Sequence, residues 1–225
     1  MVYHVIVEGG EELFSNAKGA FIKHIKLNSS IYLLLMLAFI IGVTIGAFTV
    51  NGLTVMQREE LKNYFKGFIE LFDKQDINNA ELFKVSLLEN IKQITVIWLL
   101  GVCIIGIPFI FVFVGIRGFL TGFGSGLLIQ TFGAKGVVFI VSSLLLKEII
   151  ILPCIIVLGV NGIKFSLSII KNKSIKRISK ESLKSNLISY CLSTAFIALV
   201  MIGGIFMEVY ISPVLIRVIS PIFSN

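Results

Sequence analysis

An adjacent lysine and glutamate, Lys147 and Glu148, lie near the middle of an apolar run at 137–160. At mid-bilayer, charges cost at least about 2.5–3.5 kcal/mol each on insertion scales, so they are kept where they are paired or face a protein interior. Neighbouring residues of a helix point about 100° apart and pair poorly with each other. A partner for each is therefore expected on another helix. Two readings stay open at this point: a polar cavity or intersubunit contact, and a polar lock that fixes helix packing.

Little else carries chemistry. His4 and His24 both fall in the N-terminal segment, and Cys103, Cys154 and Cys191 lie inside apolar runs without C-x-x-C or metal spacing. Such cysteines act as small buried hydrophobes, and neither cofactor nor metal is expected. The sequence has no G-x-S-x-G, H-E-x-x-H or Walker loop. Ser142 and Ser143 precede Lys147 closely enough for a Ser–Lys pair. Serines in membrane helices, however, more often bond back to their own backbone. The expectation is a protein that is not an enzyme. Glu208, close to the end of the last apolar run, reads as a solvated group.

The elements that must position these residues are apolar helices. Of 225 residues, 56% are hydrophobic and 15% charged, against about 45–50% and 25% in soluble domains. The fold class expected is all-α: a polytopic helical bundle with about five transmembrane helices, at 30–50, 94–116, 118–132, 137–160 and 187–211. The first run, about 21 residues, matches a hydrocarbon core of about 30 Å at 1.5 Å per residue. It contains Gly42 and Gly46 in G-x-x-x-G spacing, and Gly118, Gly122 and Gly126 recur every fourth residue in the third run. Both patterns predict smooth faces for close helix contact. Pro108 should kink the second run.

Three polar stretches remain. In 1–29, Leu13, Phe14, Ala17, Phe21 and Ile25 recur near helical spacing among lysines, which suits an interfacial amphipathic helix or, equally, an unstructured tail. In 51–93, Leu61, Tyr64, Phe65, Phe68 and Phe72 form an apolar stripe, with Lys62 and Lys66 among the charges on the other faces. Asp76 to Asn79 makes a turn into a second helix, so this is an amphipathic helical hairpin that rests on the membrane, the bundle or a partner. The stretch 161–186 carries seven Lys/Arg against Glu181 alone. The positive-inside rule places it and the 1–29 segment in the cytoplasm. The hairpin and the 213–225 tail are then outside, with Arg117 in an inner loop and Lys135 outside. That arrangement requires the Gly-rich run to cross fully. The organisation is thus 1–29 cytoplasmic, 30–212 membrane domain, 213–225 tail. The net charge of +7 is assigned to topology and anionic lipids, not nucleic acid.

Several short stretches are similar to one family. These are Val50-Asn51-Gly52-Leu53-Thr54 after the first run, Glu89-Asn90-Ile91 before the second, Gly115-Ile-Arg-Gly118-Phe-Leu-Thr-Gly122, and Lys147-Glu148-Ile-Ile-Ile-Leu-Pro153. Together with the layout of 27–212 they resemble stage II sporulation protein M of endospore-forming Firmicutes. The resemblance implies a non-catalytic membrane scaffold in forespore engulfment, which holds two peptidoglycan-degrading partners, the stage II sporulation proteins D and P, at the septum. A candidate docking surface is the hairpin, through Leu61, Lys62, Phe65, Lys66, Phe68 and Phe72. The competing reading is a transporter or permease-like component built around Lys147 and Glu148. One chain has few polar residues to line a path, and a homo-oligomer is the arrangement that would supply more.

Overall fold

The computed structural model describes residues 19, 22–74, 79–174 and 180–224. Every element among them is helical. Helix α1, Ser29–Thr49, ends in a 3-10 turn at Val50–Gly52, followed by α2, Val55–Lys74, and α3, Asn79–Val102. Next come α4, Gly106–Phe132, and a short α5, Ala134–Phe139. A π-helical turn at Ile140–Leu145 leads into α6, Leu146–Ser174, and the chain closes with α7, Lys180–Ser224. Five segments are long and apolar enough to cross a membrane: Ser29–Gly52, Asn79–Val102, Gly106–Phe132, Lys147–Lys171 and Lys184–Leu215. The protein is an all-α polytopic membrane bundle.

The boundaries differ from the sequence reading in four places, each with a local cause. The second and third spans are not 94–116 and 118–132. The chain turns at 103–105, and Arg117 stands in the interior of α4 instead of a loop. Pro108 is the third residue of α4, within the first turn, where its missing N–H removes no helical bond. It opens a helix and does not kink one. The second arm of the hairpin is the start of α3, so the polar 79–93 and the apolar residues after them form one spanning helix. The stretch 161–186 is not all loop: α6 continues to Ser174 because Ile163, Phe165 and Ser166 are buried within the bundle. Finally, 213–225 is no separate tail, since α7 runs to Ser224. At 45 residues it reaches about 67 Å at 1.5 Å per residue, about twice a hydrocarbon core.

Helix α6 is the centre of the bundle. Of its apolar segment 61% is buried, against 22–33% for the other four. Ile151, Ile155 and Leu158 of α6 pack with Leu35 of α1, Ile97 of α3, Ile110 of α4 and Met201 of α7. Since lipid tails are as apolar as leucine, such packing alone does not drive helices together in a bilayer. Backbone proximity and polar contacts must add to it.

Glycine provides the first of these. A Cβ on Gly42 would overlap the Gly115 carbonyl oxygen, and one on Gly46 that of Phe119. From the other side, Cβ atoms on Gly118 and Gly122 would overlap the carbonyls of Phe39 and Val43, and one on Gly126 would lie 3.2 Å from Ala47 Cα. The five glycines singled out by spacing therefore meet in one seam, where α1 and α4 touch backbone to backbone. At the far end of α4, Gly133 takes a left-handed φ of 58°. Its N–H donates to the Ile129 carbonyl at 2.8 Å, closing the helix and reversing the chain into α5.

Candidate functional site

About 100° round the helix from its glycine face, α4 carries Arg117 and Thr121 one turn apart. Arg117 Nη2 lies 3.0 Å from Glu148 Oε1 of α6, and Nη1 donates to Gln93 Oε1 of α3 at 3.1 Å. Thr121 Oγ1 lies 3.3 Å from the same Glu148 oxygen and 3.1 Å from the Arg117 carbonyl, so its single proton serves two acceptors. Lys147 turns the other way, with Nζ 2.7 Å from Glu208 Oε1 of α7. The 100° step between adjacent helical residues aims these two charges at different neighbours. The site therefore ties α6 to α4 through one residue and to α7 through the next.

The two pairs differ in depth. The Arg117 and Glu148 side chains are 15% and 11% exposed; those of Lys147 and Glu208 are 23% and 15%. Glu208 is thus a paired group, contrary to its reading as a solvated one. The pairs are each neutral, which removes the largest part of the cost of placing four charges among apolar helices. One turn before Gln93 on α3, Asn90 is 2% exposed and donates through Nδ2 to the Ser86 carbonyl at 2.8 Å. Among the described residues, Asn90 Oδ1, Glu148 Oε2, Glu208 Oε2 and Arg117 Nε are buried without a hydrogen-bond partner.

The remaining sequence candidates are placed elsewhere. Helix α2 begins with a capping box: the Thr54 N–H donates to Gln57 Oε1 at 3.0 Å and the Gln57 N–H to Thr54 Oγ1 at 3.4 Å. Arg58 Nη2 donates to the Asn51 carbonyl at 3.0 Å, tying α2 to the end of α1. Phe65 packs on Leu128, Phe139 and Ile140, and Leu61 is half-buried. Phe65 thus faces the protein itself, while Lys62 and Tyr64 are exposed. The side chains of Lys66, Phe68 and Phe72 lie outside the described ones, as do those of Ser142 and Ser143; His4, Leu13, Phe14, Ala17 and Phe21 also lie outside the described residues. Cys103 is exposed, Cys154 buried and Cys191 half-buried, all as free thiols. No three His, Cys, Asp or Glu among the described residues gather as a metal site.

A family model described as Stage II sporulation protein M matches residues 35–213. The chain belongs to that family. It is accordingly a sporulation-related, multi-pass membrane protein. The matched region holds both the α1–α4 glycine seam and every residue of the two ion pairs, and leaves out the start of the chain and the last turns of α7. Two of the short stretches that resemble the family, 115–122 and 147–153, meet in space. Arg117 and Thr121 come from one of them and Lys147 and Glu148 from another, and Arg117 and Thr121 meet at Glu148. No curated protein and no solved structure matches the chain.

Sequence reading missed Arg117 and Glu208 as members of this centre. For Arg117 a signal was present: Gly106-Ile-Pro108 is a helix opening, which moves Arg117 three turns inside the next helix. For Glu208 there was none beyond the unpaired Lys147, because 61 residues separate them and a contact of that range leaves no periodic trace.

Proposed function

We propose that this chain is a non-catalytic membrane scaffold for forespore engulfment, anchoring the peptidoglycan-degrading stage II sporulation proteins D and P at the septal membrane. What supports the reading beyond family membership is the use of the intramembrane charges. Arg117, Glu148, Lys147 and Glu208 neutralise one another across three helices, an arrangement that stiffens a frame. In this reading the basic end, with Lys164, Lys171 and Lys184, lies in the cytoplasm. The α2 end faces the wall, where those partners act. The docking surface is then the outward polar face of α2 around Lys62, with Phe65 holding the helix to the bundle.

The test is complementation. A deletion strain carrying Lys62→Glu/Lys66→Glu should accumulate the protein in the membrane yet stall at a flat or bulging septum under membrane-dye microscopy. Normal engulfment at normal abundance removes the docking assignment.

A further inference from the structure

At the basic end, α6, α7 and the helical residues 22–27 enclose a cleft of about 280 Å³. That is slightly below the roughly 300–1,000 Å³ of sites for drug-sized ligands, and suits a headgroup. Its lining is unlike the rest of the bundle. Lys164 supplies an ammonium group, Asn161 and Asn186 supply amides, and Ser168, Ser189 and Ser193 supply hydroxyls. Among the described residues no carboxylate lines it. Tyr190 forms the floor, stacked on Phe165 with centroids 4.8 Å apart. Its own hydroxyl donates to the Trp98 carbonyl at 3.2 Å. Ser168 Oγ is buried with no partner among the described residues, although a membrane-helix serine ordinarily bonds back to its own backbone. His24 completes the rim, its Nδ1 3.1 Å from the Tyr32 hydroxyl. Burial first, and then the Lys164 ammonium, hold its imidazole below the ordinary histidine value, so Lys164 is the cleft's standing charge at neutral pH.

We infer that this cleft is a binding site for a phosphate-bearing anion, with Lys164 providing charge and Ser168, Asn161 and Asn186 providing neutral donors. A cation with no acid among the described lining residues, surrounded by hydroxyls and amides, matches the many acceptor oxygens of a phosphate. Its position favours a phospholipid as the source. The apolar segments of α6 and α7 end at Lys171 and begin at Lys184, so residues 161–168 and 186–193 lie within about two to three turns of the bilayer surface. A second cleft of about 290 Å³, lined by Lys184 and Ile188, adjoins the first through the shared Ser189. Leu187, Ile188 and Leu167 beside them are 39%, 49% and 45% exposed. Headgroup polarity and acyl-chain surface thus stand side by side.

The experiment uses the full chain, purified in a maltoside detergent and stripped of lipid, with bound ligand counted by native mass spectrometry. The probes are short-chain phosphatidylglycerol, short-chain phosphatidylcholine and inorganic phosphate. The proteins are wild type, Lys164→Gln and Lys171→Gln, the last removing an exposed lysine of the same helix outside the cleft. Phosphatidylglycerol should bind wild type in preference to phosphatidylcholine, weaken roughly tenfold in Lys164→Gln as for a lost charged hydrogen bond, and stay within twofold in Lys171→Gln. Inorganic phosphate binding with the same dependence on Lys164, and no preference for phosphatidylglycerol, keeps the site and makes a soluble phosphate its source. No saturable adduct with any probe, or equal losses in the two variants, overturns it, the latter by showing a diffuse basic surface. Lys164 is exposed, so its replacement leaves folding intact; unchanged thermal melting of both variants verifies this.

Discussion

The two faces of α4 hold the bundle together by opposite means. One face has no side chains: Gly118 and Gly122 let α1 come to backbone contact. The other face carries Arg117 and Thr121, long and short polar groups that reach Glu148 and Gln93. In water the first face would be a weak interface and the second an ordinary surface. In a bilayer, where burying more leucine gains nothing, both become adhesive. The glycine seam is insensitive to charge and intolerant of volume. The polar face tolerates changes of volume and depends on charge being matched.

That contrast sets the order of expected effects. The largest is at the seam. Gly122→Leu puts a side chain into the Val43 backbone, beyond the roughly 1–3 kcal/mol of ordinary overpacking, and little folded protein should be recovered from membranes. Gly124→Leu, on the same helix where a Cβ meets nothing within 4 Å, should be recovered at wild-type yield. Comparable losses for the two would break the seam account.

Next comes Arg117→Met, which leaves Glu148 uncompensated and should cost about 3–5 kcal/mol, as for other broken buried pairs. Adding Glu148→Met should restore most of that in a detergent melt, because neutral packing is compatible with the interior. A double variant as unstable as the single would mean that the carboxylate and guanidinium have separate work. Lys147→Met should fall between the roughly 1 kcal/mol of an exposed pair and that buried value, since its side chain is 23% exposed. The smallest effect on stability is expected for Lys62→Glu: an unchanged melt, with its consequence confined to engulfment. A lowered melting temperature there would place Lys62 in the frame and not on its outer face.

The seam and the polar centre also differ in how far sequence reveals them. Glycines at 42, 46, 118, 122 and 126 show a period of four within single helices, and a period is visible without knowing the partner. So is the number of spans, which follows from apolar length. The ion pairs are contacts across 31 and 61 residues of chain, and nothing local marks them. Reading Pro108 as a kink compounded the difficulty. It shifted the turn from 103–105 to Arg117 and so moved a central cation to the surface. The stripe on α2 was visible as a period, but whether Phe65 meets a partner or Leu128 and Phe139 is decided by tertiary packing alone.

The central claim is that the intramembrane charges frame the scaffold and take no part in moving a solute or a proton. It is tested most directly by engulfment in sporulating cells whose only copy is Arg117→Met/Glu148→Met, scored by membrane dye at matched protein abundance. Engulfment at the wild-type frequency is the predicted result. A double variant that reaches the membrane at wild-type level and still stalls at the septum would contradict it, and would make Glu148 a working group of a transport path.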